Sequence, residues 1–497
     1  MSLVRLNKNE VDKEMIDGVL SDDPSIQSEY ASKLRKFLEH EKNPPIGKII
    51  ESGVVPRFVE FLKQDDNIEL QLDAANVLRV ISEDENANVL IDHGAIQIFV
   101  HLLASDHAAT DSFLLHMEAT LALGNAARAS VESRDYVLRC GALSPLLAQL
   151  HENTDIWMLR TASYVLSDLC FGQPPPPFCQ MEPALSALQR VLHINDEQFL
   201  TAACWTLFFL SHGPKENIQS FIDAGLVPRL VQLLGYDSLS VIDRALSTII
   251  YLTNGFNQQK KVVIECGVLP LLANLLTQDY AISWNNIKRD ACWAISNITA
   301  GTEEQIQVKS LVIAVIDANL IPKLVNLAQN AEFDIKEKAV RAVSNAALGG
   351  SHDQIRYVHR FSETWYKKLL LCLSCGALSP LLAQLHENTR MPMLKIATPT
   401  LSNFCSGQPR PPFRQSFIDA GLVPRLVQLL GYGAPCMIDP ALGTIMKLTD
   451  GDNQQTQVYE KGLEKIQNLQ HHESNEIQNL APLMDGQNSK SESKYLV

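Results

Sequence analysis

Along most of this chain, apolar residues recur at helical spacing. In Ala291–Gly301 (ACWAISNITAG), Ala291, Ala294, Ile295 and Ile298 fall at i, i+3, i+4 and i+7. That is one face of an amphipathic helix. A second face carries Asp290, Trp293 and Asn297 at i, i+3 and i+7, so a carboxylate, an indole and an amide share one stripe. Such a stripe suits an extended cationic peptide. The indole can pack against a Lys or Arg stem and attract its charge, the amide can pair with peptide backbone, and the carboxylate can meet an ammonium group. The competing reading places Trp293 in the core and Asn297 at a helix end.

Phrases of one shape recur about every forty residues: ESGVVPRFVEFL from Glu51, DHGAIQIFVHLL from Asp92, RCGALSPLLAQL from Arg139, DAGLVPRLVQLL from Asp223, ECGVLPLLANLL from Glu265 and DANLIPKLVNLA from Asp317. Each holds Gly or Asn at a helix stop, often Pro at the next helix start, and then a Leu/Val helix. A polar turn and another helix follow. The spacing predicts an all-α fold, a right-handed superhelical solenoid of three-helix units that bury their apolar faces against neighbours.

The length of 497 residues accords with an array rather than one core. The net charge of −14 disfavours nucleic acid or an anionic membrane as main partner and suits a basic one. No apolar run approaches the length of a spanning helix, so no membrane insertion is expected. Ten cysteines are scattered, and Cys372 and Cys375 form a single C-x-x-C with no second pair. Zinc is therefore not expected, and a reducing cytosolic or nuclear compartment fits. Phosphate-loop, metalloprotease and nucleophile-elbow motifs are absent from the sequence, so neither catalysis nor a cofactor is expected.

The phrases VVPRFVEFL, VIDHGAIQIFV, ACWAISNITAG, LVNLAQNAEFDIK and SNAALGGSHDQI, in order between about Glu14 and Tyr357, resemble those of the armadillo-repeat nuclear import adaptors, the importin alpha family, and most closely its plant members. The resemblance implies a receptor for Lys/Arg-rich nuclear localisation signals that works in cytoplasm and nucleus. In that family the third helix of each repeat presents a Trp and, one turn on, an Asn along an inner groove. A major site spans the second to fourth repeats and a minor site the sixth to eighth.

Carried over residue by residue, the pattern is incomplete. The second repeat has Asn76 and Val80 at the two positions. The third has Leu121 but keeps Asn125, with Ala129 at the acid expected beyond. The fourth has Tyr164 and Asp168, a ring and a charge that can hold a cation. The fifth keeps Trp205 with Phe209 one turn on, as groove wall or as core. The sixth has Ser247 and Tyr251. The seventh keeps Trp293 and Asn297, with Asp290. The eighth keeps Asn345 but places Arg341 at the Trp position and Lys338 at the acidic one, where two cations repel a basic peptide. Basic peptide is accordingly expected across repeats five to seven, at reduced affinity. A non-transport scaffold for other peptides, or a near-functionless rearranged paralogue, is the alternative.

Domain expectations follow. Residues 1–13 form a short tail holding only Arg5, Lys8 and Lys13, without the family's basic arm, so importin-beta docking through that arm is not carried over. Residues 14–357 hold repeats one to eight, and 358–374 an irregular junction. Residues 375–458 hold duplicated partial repeats: Cys375–Thr389 repeats Cys140–Thr154 at an offset of 235, and Gln415–Tyr432 repeats Gln219–Tyr236 at an offset of 196. The offsets read as a copied fourth repeat joined directly to a sixth. Pro399 in this copy predicts a helix that is broken or starts late. Residues 459–497 read as a degenerate repeat and a polar tail, which leaves the family's export-receptor contact open. GQPPPPF at Gly172–Phe178 is expected as a rigid inter-repeat loop.

Overall fold

A computed structural model describes residues 13–430 apart from 84–85, 106–109, 279–283, 301–305, 349–377, 386–389 and 407–416, together with a few positions between 441 and 448. The expectations for the junction, the polar tail, Cys372 and Cys375 lie outside the described residues. Among the described residues there is no strand and no group of three or more side chains placed to hold a metal ion. No single helix there is long and apolar enough to cross a membrane. The chain divides into two compact units, with the division inside one helix at Thr248 and Ile249; Leu230–Gly235 belong with the second unit.

Each repeat ends on a long third helix. These are α1 (Pro24–His40), α2 (Ile68–Ile81), α3 (Thr110–Ala129), α4 (Ile156–Cys170), α5 (Glu197–Ser211), α6 (Leu239–Leu252), α7 (Trp284–Thr299), α8 (Phe333–Leu348) and α9 (Met391–Ser406). In the first unit α1 to α5 pack in succession, and in the second α7 packs on α8 and α8 on α9. Helix starts follow local chemistry. Asn67 caps α2 at Leu70 N, Asp155 caps α4 at Trp157 N, and Asp196 caps α5 at Phe199 N. The stops in the recurring phrases are all left-handed: Gly53, Gly94, Gly141, Gly225, Gly267 and Gly421, with Asn319 at φ 55° in the same role. A Cβ on any of those six glycines would meet nothing within 4 Å, so backbone conformation rather than crowding selects them.

The Pro-cation pair inside the phrases ties repeats together. Arg57 donates to Ser21 O at 3.1 Å, Arg229 to Leu192 O at 3.0 Å and Lys323 to Ala273 O at 3.0 Å, and Arg425 donates to Leu382 O. The proline starts the helix, and the cation next to it donates to a main-chain carbonyl in the preceding repeat. The apolar stripe read at 291–298 is fully buried: Ala291, Ala294, Ile295 and Ile298 are each at zero exposure.

The loop after α4 is fixed from outside itself. Arg134 donates to Phe171 O at 2.8 Å and to Pro174 O at 3.0 Å, and its guanidinium also meets Asp135 at 2.7 Å. Gly172 sits at φ 114°, and a Cβ there would come within 2.9 Å of Arg134 Nη1.

The expected break at Pro399 is corrected. Helix α9 runs without interruption from Met391 to Ser406. An interior proline removes one helix hydrogen bond and costs about 3 kcal/mol. Burial of Met393, Leu394, Ile396, Ala397 and Leu401 opposes that cost, at about 1.5–3 kcal/mol for each large side chain. The Thr400 hydroxyl donates to Ile396 O at 2.6 Å and also meets Ser344 on α8, which ties the two helices together.

Candidate peptide-binding surface

The third helices carry the residues singled out in the sequence, and each unit holds its own set. In the second unit, α7 places Trp293 at 37% exposure, on the surface rather than in the core. Trp293→Ala is therefore expected to lower stability by less than about 2 kcal/mol, against the 3–5 kcal/mol of a buried indole; thermal unfolding of the variant checks this. Lys338, from α8, sits with Nζ 4.8 Å from the centre of the Trp293 ring, within cation–π range. Its neighbour Glu337 has its carboxylate 4.0 Å away and also pairs with Arg341 at 3.1 Å.

Asp290 shares α7 with Trp293, but it is buried and accepts a 2.7 Å bond from Arg289. Asn297 uses one amide N–H inside the array, donating to Ile250 O at 3.0 Å. The Asn345 amide nitrogen meets two acceptors there, Ser296 O at 3.0 Å and Ser296 Oγ at 3.1 Å. A side-chain amide has two N–H groups and a carbonyl oxygen, so Asn297 combines a stapling role with capacity for a peptide, whereas Asn345 is chiefly a staple. The carbonyls at the end of α7 are capped by Lys260, whose Nζ lies 2.7 Å from Asn297 O and 2.6 Å from Ala300 O.

In the first unit, α3, α4 and α5 bring Asn125, Tyr164, Asp168 and Trp205 onto successive helices. Asn125 donates to Arg79 O at 3.1 Å and accepts from Arg128 at 2.6 Å. Tyr164 is exposed. Asp168 pairs with Arg128 at 2.8 Å. Burial pushes the Asp168 carboxyl up to about 6, against the pull of the Arg128 guanidinium. Trp205 stacks on Phe209 at 5.2 Å between centroids, and Phe209 meets the exposed Phe171 edge-on at 5.4 Å. Arg244 also lies over the Trp205 ring, with Cζ 3.9 Å from the ring centre.

Successive inner helices are also linked by ion pairs: Arg35–Asp73 at 2.6 Å, Arg79–Glu118 at 2.5 Å, Arg128–Asp168 at 2.8 Å and Arg160–Asp196 at 2.5 Å. Where the second repeat would carry an indole, Asn76 is buried and donates to Glu118 at 3.2 Å. Sequence reading missed Arg244, Arg128 and Glu118 as parts of this surface. The available signal was register: Glu118, Arg244 and Lys338 each stand three residues before the Trp position of their own helix.

The buried thiols offer no chemistry here. Burial pushes Cys204 up to about 12 and raises Cys170 and Cys292 as well, so none is a nucleophile at neutral pH.

Three-helix units of about forty residues, joined through their third helices, define an armadillo-repeat protein. The model of the armadillo/beta-catenin-like repeat matches residues 42–83, 256–300 and 310–348. The crystal structure of an engineered protein matches the fold with a TM-score of 0.71 at 23% identity, covering 88% of this chain and 99% of that one. Over 467 residues the chain is 41% identical to importin subunit alpha-4 of Arabidopsis thaliana, covering 93% of this chain and 76% of that protein. It is 43% identical over 465 residues to importin subunit alpha-5 of the same plant, covering 93% and 78%. Against importin subunit alpha-1a of Oryza sativa subsp. japonica it is 44% identical over 340 residues, covering 68% and 62%. The chain belongs to the importin alpha family, whose members are transport adaptors and not enzymes.

Proposed function

We propose that this chain is a nuclear import adaptor that binds Lys/Arg-rich localisation signals along its third helices, with reduced affinity, and moves between cytoplasm and nucleus. The observation that carries the reading is the α7 surface: an exposed indole, Trp293, with the Asn297 amide one turn on. It sits in a chain 41% identical over 467 residues to importin subunit alpha-4. The net charge of −14 favours approach of a basic partner. Reduced affinity follows from the positions without an indole, Asn76, Leu121 and Tyr164, each lost contact being worth about 0.5–2 kcal/mol.

The test is a fluorescence anisotropy titration of the full chain with a short Lys/Arg-rich peptide, beside neutral and acidic peptides of equal length. The basic peptide is expected to bind selectively and more weakly at high salt. Trp293→Ala is expected to weaken it by about 1 kcal/mol or more. Restoring Leu121→Trp is expected to tighten it.

A second reading, an armadillo scaffold for non-basic peptides, draws on the same missing indoles and on the buried Asn76–Glu118 contact that replaces one of them. Selective binding of the neutral or acidic peptide would establish it in place of the first.

A further inference from the structure

Both remaining groove indoles carry a cation from this chain itself. Arg244 stands over Trp205 with Cζ at 3.9 Å from the ring centre, and Lys338 over Trp293 with Nζ at 4.8 Å. The two are built alike. Each cation comes from the third helix of the repeat that follows its indole, three residues before that helix's own Trp position, which is Ser247 in α6 and Arg341 in α8. Each follows an acidic residue in sequence: Asp243 meets Arg244 at 2.6 Å, and Glu337 lies 4.0 Å from Lys338. Elsewhere the same position also reaches back one repeat, but as a carboxylate: Asp73 to Arg35 and Glu118 to Arg79.

We infer that Lys338 and Arg244 are specificity-determining residues, resident cations that fill the two indole seats and must be displaced before a peptide cation can use them. The inference rests on the reading of this surface as a basic-peptide site. A ring face within cation–π range of one ammonium or guanidinium has no room for a second, and two like charges at that separation repel. The seat is therefore closed by occupancy, not only by general repulsion. Displacement leaves the neighbouring carboxylate of Asp243 or Glu337 beside the incoming charge. A guanidinium stacks its plane on an indole, whereas an ammonium is a compact and strongly hydrated charge. The Lys338 seat accordingly yields first, so the peptides selected are those whose cations compete well at Trp293.

The experiment titrates the full chain with a short Lys/Arg-rich peptide. Lys338→Met is expected to tighten binding about five-fold or more, and adding Trp293→Ala to it to abolish that gain. Lys336→Met removes the same charge from a position two residues away on α8, about 200° around the helix, and is expected to change binding less than about two-fold. Equal gains from the two lysine variants, or no gain from Lys338→Met where Trp293→Ala weakens binding, overturn the inference and leave the basic-peptide reading standing. If no variant binds the basic peptide, that reading fails and the specificity role with it; a ligand-free measurement tests the occupancy of the seat separately. With all lysines carrying 13C-dimethyl groups, which keep their charge, the Lys338 signal (assigned through Lys338→Arg) is expected upfield under the Trp293 ring and at its ordinary position in Trp293→Leu. A Lys338 signal unmoved by Trp293→Leu overturns the inference.

Discussion

Arg134→Met is expected to lower the unfolding free energy by about 2–4 kcal/mol, the cost of leaving two carbonyls without the buried charged donor they share. Among the described residues Arg134 is the largest fully buried side chain, at 1% exposure. Its guanidinium serves Phe171 O, Pro174 O and the Asp135 carboxylate together. Methionine fills part of the volume but donates nothing, so both carbonyls lose a charge-assisted bond and Asp135 loses its counter-charge. Urea unfolding monitored by circular dichroism measures the loss. Lys33→Met is the control: its ion pair with Glu29 lies on the surface, one turn apart on α1, and its removal is expected to leave the urea midpoint nearly unchanged. A comparable cost for both variants would mean that Arg134 contributes no more than a surface charge.

The second large effect depends on pH. Asp168→Asn is expected to leave stability unchanged near pH 4 and to raise it by about 2 kcal/mol at pH 8, as read from urea midpoints at the two values. The sign follows from burial. The Asp168 carboxyl is raised from 3.8 to about 6 in the folded chain, so the folded state holds its proton over a range where the unfolded chain has released it. The stability from this group is fully present below about pH 4 and is lost as pH rises through about 6. A gap of about two units corresponds to about 3 kcal/mol at most, with the opposing pull of the Arg128 guanidinium already contained in it. Arg128 is 56% exposed in that pair, so solvent screens its pull. Asparagine resembles the protonated acid and avoids the loss. If Asp168→Asn destabilises at pH 8, the ion pair outweighs the burial.

The repeat period, the helix starts and stops and the buried stripe of α7 were legible in the sequence because each is a local signal. Gly94 and Gly267 mark stops through their own backbone, and Ala291, Ala294, Ile295 and Ile298 share a face through spacing alone. The trio of Asp290, Trp293 and Asn297 was legible as a set, but its state was not. Arg289 holds Asp290, Ile250 O holds one Asn297 N–H, and Lys338 covers Trp293. The last two partners lie more than forty residues from the group they meet, a separation that helical periodicity does not encode. Lys338 was legible as a repelling charge; its seat on the ring was not. Pro399 misled for the opposite reason. The local rule is sound, but the tertiary packing of α9 on α8 outweighs it.

The capping cations in the recurring phrases make the repeats interchangeable parts. In its first occurrence, Arg229 of PRLVQLL donates to Leu192 O, in the fifth repeat. In the second occurrence no fifth repeat intervenes, and the matching Arg425 donates instead to Leu382 O, the counterpart of Leu147 in the fourth. The acceptor is a main-chain oxygen, which every residue type presents alike. The coupling therefore does not read the side chains of the repeat it joins. An array built this way can lose or gain a whole unit and still close the new seam, whereas a cut inside a unit would strand the donor from its socket.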